Sequence, residues 1–99
     1  MTININQNEE KITLALSGRL DAITTQKLQD ALIPKIGITE LVELDLAKLD
    51  YISSSGLRVL LLGEKTAKTQ GCRLVLLNVT ADVMEIFKMT GFSNVLHFE

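Results

Sequence analysis

The chain has few of the residues that fix a structure through covalent or metal chemistry. Its 99 residues include one cysteine, one histidine, one proline and no tryptophan. A lone Cys72 cannot form an internal disulfide, and one cysteine with one histidine are too few soft ligands for a zinc site. With no signal-like apolar segment at the start, these absences predict a reducing, cytoplasmic location and neither a metal nor a cofactor.

Strong charge and long apolar runs are also lacking. The net charge is −2 and the isoelectric point lies near 5.4, which argues against non-specific binding to nucleic acid or to an anionic membrane. The apolar run 59–62 is far too short to cross a membrane. The glycine-rich phosphate loops GxGxxG and GxxxxGK[ST] do not occur. The sequence therefore predicts a partner other than nucleic acid or membrane.

Apolar residues, by contrast, are plentiful enough for a real core. The chain is 46% hydrophobic but only 4% aromatic, so this core must consist mainly of leucine, isoleucine and valine. The length suits one domain that spans residues 1–99.

The first third of the chain alternates apolar and polar residues in two short stretches. Isoleucines at 3 and 5, and apolar residues at 12, 14 and 16, predict an opening β-hairpin. The segment 22–33 is predicted to be a helix, capped by Asp21 or Thr24.

The rest of the chain alternates strands with helices. The predicted elements are a strand at 42–46, a helix at 56–69 with solvated last turns around Glu64, a strand at 74–77 buried on both faces, a helix from Thr80 to Gly91, and a last short strand at 95–98. A hairpin followed by such alternation predicts an α/β domain with a small, mostly parallel mixed sheet and helices packed on it.

A run of three serines stands between the predicted strand at 42–46 and the helix that follows. These serines, with Gly56, serve either as a helix cap or as a site of phosphorylation. A phosphate on one of them would add roughly −1.5 to −2 charges where the amides of Gly56, Leu57 and Arg58 point outward. Asp21 and Asp50 are candidate acidic neighbours, if the turns that carry them converge with the serines.

An enzymatic serine is the rival interpretation. A nucleophile elbow also places serine between a strand and a helix, but it requires a glycine two residues before that serine, which is absent here. The only histidine, His97, lies near the C-terminus on a short predicted strand. The sequence therefore favours a protein that is not an enzyme over a small serine hydrolase.

Three segments resemble the STAS domain family, in particular the bacterial anti-sigma factor antagonists. The segment 49–60, LDYISSSGLRVL, resembles the family signature. Segment 18–22 with Thr24 or Thr25 resembles the family's first strand-to-helix turn, and segment 86–92 resembles the end of its last long helix. The likeness covers almost the whole chain.

The resemblance implies a switch between partners. The serine before the motif glycine, Ser55 here, is phosphorylated in such proteins by an anti-sigma factor that is itself a serine kinase. The unphosphorylated antagonist binds that kinase and frees the sigma factor, the phosphorylated form releases the kinase, and a PP2C-type phosphatase restores the serine. The partner-binding residues implied for this chain are Asp21, Thr24, Ser53, Ser54, Ser55, Gly56, Leu57 and Arg58.

Two departures from the family pattern leave an alternative open. Ser53 replaces an acidic residue that the family often has, and Arg58 replaces a frequent glycine. Arg58 could pair with a phosphate on Ser55 or with a partner carboxylate. The alternative is a STAS protein that is never phosphorylated and acts as a scaffold or as an accessory subunit of a transport or stress-signalling complex.

Overall fold

The architecture, seen in a computed structural model that describes all of residues 1–99, consists of four strands and three α-helices. In chain order these are β1 (Thr2–Gln7), β2 (Lys11–Leu20), α1 (Thr25–Leu32), β3 (Leu41–Ile52), α2 (Ser54–Gln70), β4 (Arg73–Leu77) and α3 (Ala81–Thr90). Short 3-10 turns follow α1 at Ile33–Lys35 and α3 at Phe92–Asn94. None of the three α-helices combines the length and the hydropathy that a membrane crossing requires.

The strands form one sheet in the order β1-β2-β3-β4. The hairpin pair β1 and β2 is antiparallel, whereas β2 with β3 and β3 with β4 are parallel. This confirms the predicted fold class. Because β2 and β3 are parallel and Leu20 pairs with Ile52, the two strands end at the same edge of the sheet. The turns that follow them therefore start side by side.

The core lies between the sheet and the helices and is aliphatic, as the composition predicts. It contains 22 buried residues in one cluster, in which Phe87 is the only aromatic residue. In β2, residues Ile12, Leu14 and Leu16 are buried while their neighbours are not. In β4 the residues 74–76 are all buried, which confirms the prediction of a strand covered on both faces.

Several predicted elements differ from those observed, and β3 continues to Ile52, well beyond the predicted strand at 42–46. Helix α1 begins at Thr25 rather than at residue 22, because the Asp21 side chain accepts the N–H groups of Ile23 and Thr24 and holds residues 22–24 in a turn. The last strand does not form as predicted. The chain instead makes the 3-10 turn at 92–94, and Phe98 contributes only an isolated bridge to Leu76 in β4.

The prediction of a solvated Glu64 was also wrong. Its residue exposure is only 3% because it follows Leu60 by four positions and so lies on the buried stripe of α2. Its Oε2 lies 3.4 Å from His97 Nε2 and 4.0 Å from Lys68 Nζ, while its Oε1 has no hydrogen-bond partner. A buried acceptor without a partner costs about 1–3 kcal/mol.

Glu64→Met is therefore expected to stabilise the fold. Methionine keeps most of the buried volume and removes the unpartnered oxygen, so we expect the free energy of unfolding to rise by about 1 kcal/mol. For a domain of this size that raises the melting temperature by roughly 4–8 °C. The matched control is Glu85→Met on the exposed face of α3, which should leave the melting temperature unchanged. A lower melting temperature for Glu64→Met would show that the ion pair outweighs the desolvation cost.

Candidate functional site

The turns that follow β2 and β3 lie against each other and form one surface. We call residues 21–25 the Asp21 turn and residues 53–56 the serine turn. The Ser53 N–H donates to the Leu20 carbonyl over 2.8 Å, which joins the two turns through the backbone. Their side chains also meet, since the Oγ1 of Thr25 and the Oγ of Ser55 lie 3.3 Å apart. The predicted convergence of Asp21 with the serines is therefore confirmed, whereas Asp50 is an exposed residue within β3.

Ser53 is the N-cap of α2. Its backbone is extended, its Oγ accepts the Gly56 N–H over 3.3 Å, and its carbonyl accepts the Leu57 N–H over 2.9 Å. The helix thus starts at Ser54, two residues earlier than predicted. The amides of Gly56 and Leu57 are already bonded, so the prediction that they face an added phosphate was wrong. The N–H groups that an α-helix leaves without an internal partner belong here to Ser54 and Ser55.

The three serines differ in exposure and bonding. Ser54 is exposed, while Ser53 and Ser55 are half-buried. The Oγ of Ser55 lies 2.8 Å from the Oγ of Ser53, in addition to its contact with Thr25. Ser55 is thus only partly buried, and its Oγ lies between the hydroxyls of Ser53 and Thr25.

The Asp21 turn is held by its own side chains. One carboxylate oxygen of Asp21 accepts the N–H groups of Ile23 and Thr24, each over 3.0 Å. Thr24 Oγ1 accepts the Asp21 N–H over 2.9 Å and donates to the Arg19 carbonyl over 2.7 Å. The bond from the Thr24 N–H is the main cause that holds the pKa of Asp21 below its ordinary value. Asp21 therefore carries a negative charge at neutral pH, held by hydrogen bonds within its own turn.

The lowered pKa of Asp21 predicts a pH dependence of stability. Because the folded-state pKa lies below the ordinary value of 3.8, the ionised carboxylate stabilises the folded state above that pH. This contribution is lost as the pH falls through the folded-state pKa. We expect Asp21→Asn to flatten the acid limb of a plot of melting temperature against pH, relative to the parent. The control Asp82→Asn, on the exposed first turn of α3, tests whether any lost carboxylate has the same effect.

Gly56 and Leu57 contribute to the site from beneath its surface. Gly56 is buried, and a Cβ placed on it would lie 2.8 Å from Leu20 Cγ and 3.0 Å from Ile52 Cγ1. Leu57 is 6% exposed and packs in the core cluster. These two residues hold the start of α2 against the ends of β2 and β3. Arg58 is exposed on the first turns of α2 and makes no salt bridge.

The surface also contains residues that sequence reasoning did not single out. Ile23 is 87% exposed at the centre of the Asp21 turn. The guanidinium carbon of Arg19 lies 4.3 Å from the ring centroid of Tyr51, and these two residues are register partners on β2 and β3. An isoleucine inside an otherwise polar turn was the available signal for Ile23. No local pattern marks the pair of Arg19 and Tyr51.

His97 lies elsewhere. It contacts Glu64, which follows Ser55 by nine residues in the same helix, a distance of about 13 Å along the axis. The Ser55 hydroxyl has two hydroxyl neighbours and no imidazole. The serine and histidine of the rival hydrolase interpretation are therefore not brought together.

Two curated relatives align with nearly the whole chain. BtrV of Bordetella bronchiseptica, provisionally described as an anti-sigma factor antagonist, is 32% identical over 96 residues, which cover 96% of this chain and 83% of BtrV. The anti-sigma-B factor antagonist of Bacillus subtilis is 26% identical over 96 residues, which cover 97% of this chain and 88% of the relative.

Solved structures show the same fold. The Bacillus anti-sigma factor antagonist SpoIIAA in its unphosphorylated form matches with a TM-score of 0.83 at 18% identity, over 99% of this chain and 88% of that one. Its phosphorylated form matches with a TM-score of 0.77. A family model described as "Mlab, STAS domain" matches residues 3–97. The chain therefore belongs to the STAS domain family.

Proposed function

We propose that this chain is a non-enzymatic anti-sigma factor antagonist, with residues 1–99 acting as one STAS domain. Unphosphorylated, it binds an anti-sigma factor that is also a serine kinase, and phosphorylation of Ser55 releases that partner. The observation that carries the proposal is the position of the Ser55 hydroxyl. It belongs to a half-buried residue in the first turn of α2, where the serine turn meets the Asp21 turn.

The domain itself can accept a phosphate at this position. Ser55 lies in the first turn of a 17-residue helix, where the helix dipole and unpaired N–H groups favour negative charge. Arg58 follows Ser55 by three residues, which brings a cation to the same side of the helix. We therefore expect the modified protein to remain folded.

A bound partner, by contrast, cannot accept the phosphate. The proposed interface consists of residues 21–24, the serine turn and Arg58, with buried Gly56 and Leu57 holding the start of α2 beneath it. Exposed Ile23 is the apolar anchor at its centre. A phosphate on Ser55 carries roughly −1.5 to −2 charges and must be desolvated beneath a bound partner. The same group that the helix stabilises therefore opposes association.

The comparisons support this proposal. BtrV and the Bacillus subtilis relative are described as antagonists of anti-sigma factors, and both align with nearly all of this chain. SpoIIAA, which shares the fold, exists in unphosphorylated and phosphorylated forms. The kinase partner and a PP2C-type phosphatase that reverses the modification complete the proposed cycle.

Phosphate mapping tests the proposal. The protein is incubated with ATP and the anti-sigma kinase, and the phosphate is located by mass spectrometry. We expect one phosphate, on Ser55, that is absent from Ser55→Ala and present on Ser54→Ala, the matched control one residue away. Label that persists in Ser55→Ala would remove Ser55 from its proposed role.

A STAS scaffold that is never phosphorylated is the second candidate. Two observations favour it: the family's frequent acidic residue is replaced by Ser53, and the Ser55 hydroxyl is half-buried and bonded to two neighbours. Stable binding to a partner protein with no phosphate incorporated under any kinase condition would select this candidate over the switch.

A further inference from the structure

Four oxygens at the site form a chain whose hydrogen-bond directions can be assigned. Thr25 Oγ1 contacts the Asp21 carbonyl, which can only accept, so the single Thr25 hydroxyl proton is committed to it. Thr25 can then only accept from Ser55, so the one order that makes hydrogen bonds of both contacts has Ser53 donating to Ser55 and Ser55 donating to Thr25. Ser53 can do so because its own oxygen accepts the Gly56 N–H. The order of donation is Ser53 to Ser55 to Thr25 to the Asp21 carbonyl.

We propose that Thr25 is a positioning residue that restrains the Ser55 hydroxyl and so limits the rate of its phosphorylation. This inference rests on the proposed function. It adds that a buried residue of the neighbouring turn controls how fast the Ser55 hydroxyl is modified. Thr25 is only 9% exposed, so it acts through Ser55 rather than by touching the kinase.

Phosphorylation of Ser55 removes its hydroxyl proton, which in this order of donation is directed towards Thr25. The Ser55 Oγ forms a bond to the γ-phosphorus of ATP, the bond to the bridging oxygen breaks to release ADP, and the hydroxyl proton passes to a base of the kinase. While Ser55 donates to Thr25, its proton points into the protein. The bond between Ser55 and Thr25 must therefore break before transfer. The phosphoserine oxygen carries no proton, so it can no longer donate to Thr25.

The substitution Thr25→Val removes the hydroxyl that restrains Ser55 with little other change. In Thr25→Val the Asp21 carbonyl keeps a hydrogen bond, because it also accepts the Thr25 N–H over 3.0 Å. The turn therefore loses one of two bonds and no buried volume. Thr25→Ser keeps the hydroxyl and is the conservative control. Thr25→Ala is a second variant without the hydroxyl.

Ser53 provides an independent check of the direction of donation. An aspartate at this position can only accept, so in Ser53→Asp the Ser55 proton turns towards residue 53 and away from Thr25. The restraint by Thr25 is then already absent. Thr25→Val should have no further effect in the Ser53→Asp background.

Steady-state phosphorylation by the anti-sigma kinase and ATP tests the proposal. We expect Thr25→Val and Thr25→Ala to raise kcat about fivefold, the effect of one net hydrogen bond, with KM for the antagonist unchanged. Thr25→Ser should match the parent, and Ser53→Asp should abolish the gain. A Thr25→Val rate equal to or below that of the parent would overturn the proposal.

A measurement without the kinase separates this inference from the proposed function. Three-bond coupling constants in NMR report the side-chain rotamer of Ser55. We expect one rotamer in the parent and in Thr25→Ser, and averaging among rotamers in Thr25→Val. Averaging in the parent itself would overturn the restraint, whether or not the kinase acts. A single parental rotamer together with no phosphate on Ser55 would instead retain the restraint and reject the switch.

Discussion

Ser55→Asp is expected to weaken binding to the anti-sigma partner about a hundredfold and to leave the fold intact. An aspartate there puts a carboxylate under the proposed interface, where a bound partner must desolvate it. A penalty of roughly 3 kcal/mol corresponds to this loss of affinity. Within the domain the same charge lies at the start of α2, where it is favoured, so the melting temperature should fall by only a few degrees. Isothermal calorimetry and thermal unfolding measure the two effects.

The matched control for this variant is Ala81→Asp. Ala81 is exposed at the first position of α3, so this change adds the same charge to another helix N-terminus. Helix α3 follows the end of β4 at Leu77, which pairs with Asp45 of β3. Asp45 lies about 20 Å along β3 from Ile52, where the serine turn begins. Ala81→Asp should bind the partner with parental affinity. Equal losses of affinity in both variants would mean that net charge, and not the position of Ser55, governs binding.

Gly56→Ala is expected to destabilise the fold, although alanine is the better helix former. The new Cβ would lie 2.8 Å from Leu20 Cγ and 2.9 Å from its Cδ2, and Leu20 is fully buried at the end of β2. Such overpacking costs about 1–3 kcal/mol, which the gain of about 1 kcal/mol in helix propensity offsets only in part. Urea unfolding should show the loss as a lower midpoint at unchanged slope.

Ser54→Ala is the control for the glycine variant. It changes an exposed residue in the same helical turn and should leave the urea midpoint close to that of the parent. The overpacked variant should also bind the partner more weakly, since Gly56 sets the distance between the serine turn and the end of β2. A stabilised Gly56→Ala with parental binding would show that the start of α2 can move away from Leu20 freely.

The fold was predictable because its signals are local. Alternation at 12–16 and the apolar run at 74–77 specify a half-buried and a fully buried strand without knowledge of the tertiary structure. The wrong predictions concern features that depend on tertiary contacts. Glu64 looked solvated because it is charged, although its helical position places it on the buried stripe. The start of α1 moved because one side chain, Asp21, bonds the backbone ahead of it.

The site was predictable only in part, for the same reason. The serine turn and Asp21 were recognised from the sequence, and the structure brings them together. The contact between Thr25 and Ser55 joins residues thirty positions apart, and it exists only because β2 and β3 end at the same edge of the sheet. No window of sequence contains both hydroxyls, so the direction of donation could not be predicted.

In the proposed switch, one phosphate on Ser55 separates this chain from its kinase partner without unfolding it. The most direct measurement titrates the anti-sigma partner with unmodified protein and with protein phosphorylated to one group per chain, while circular dichroism monitors the fold. We predict at least a hundredfold weaker binding for the phosphorylated protein, at an unchanged circular dichroism spectrum. Equal affinities, or a loss of affinity that accompanies unfolding, would rule out the proposed switch.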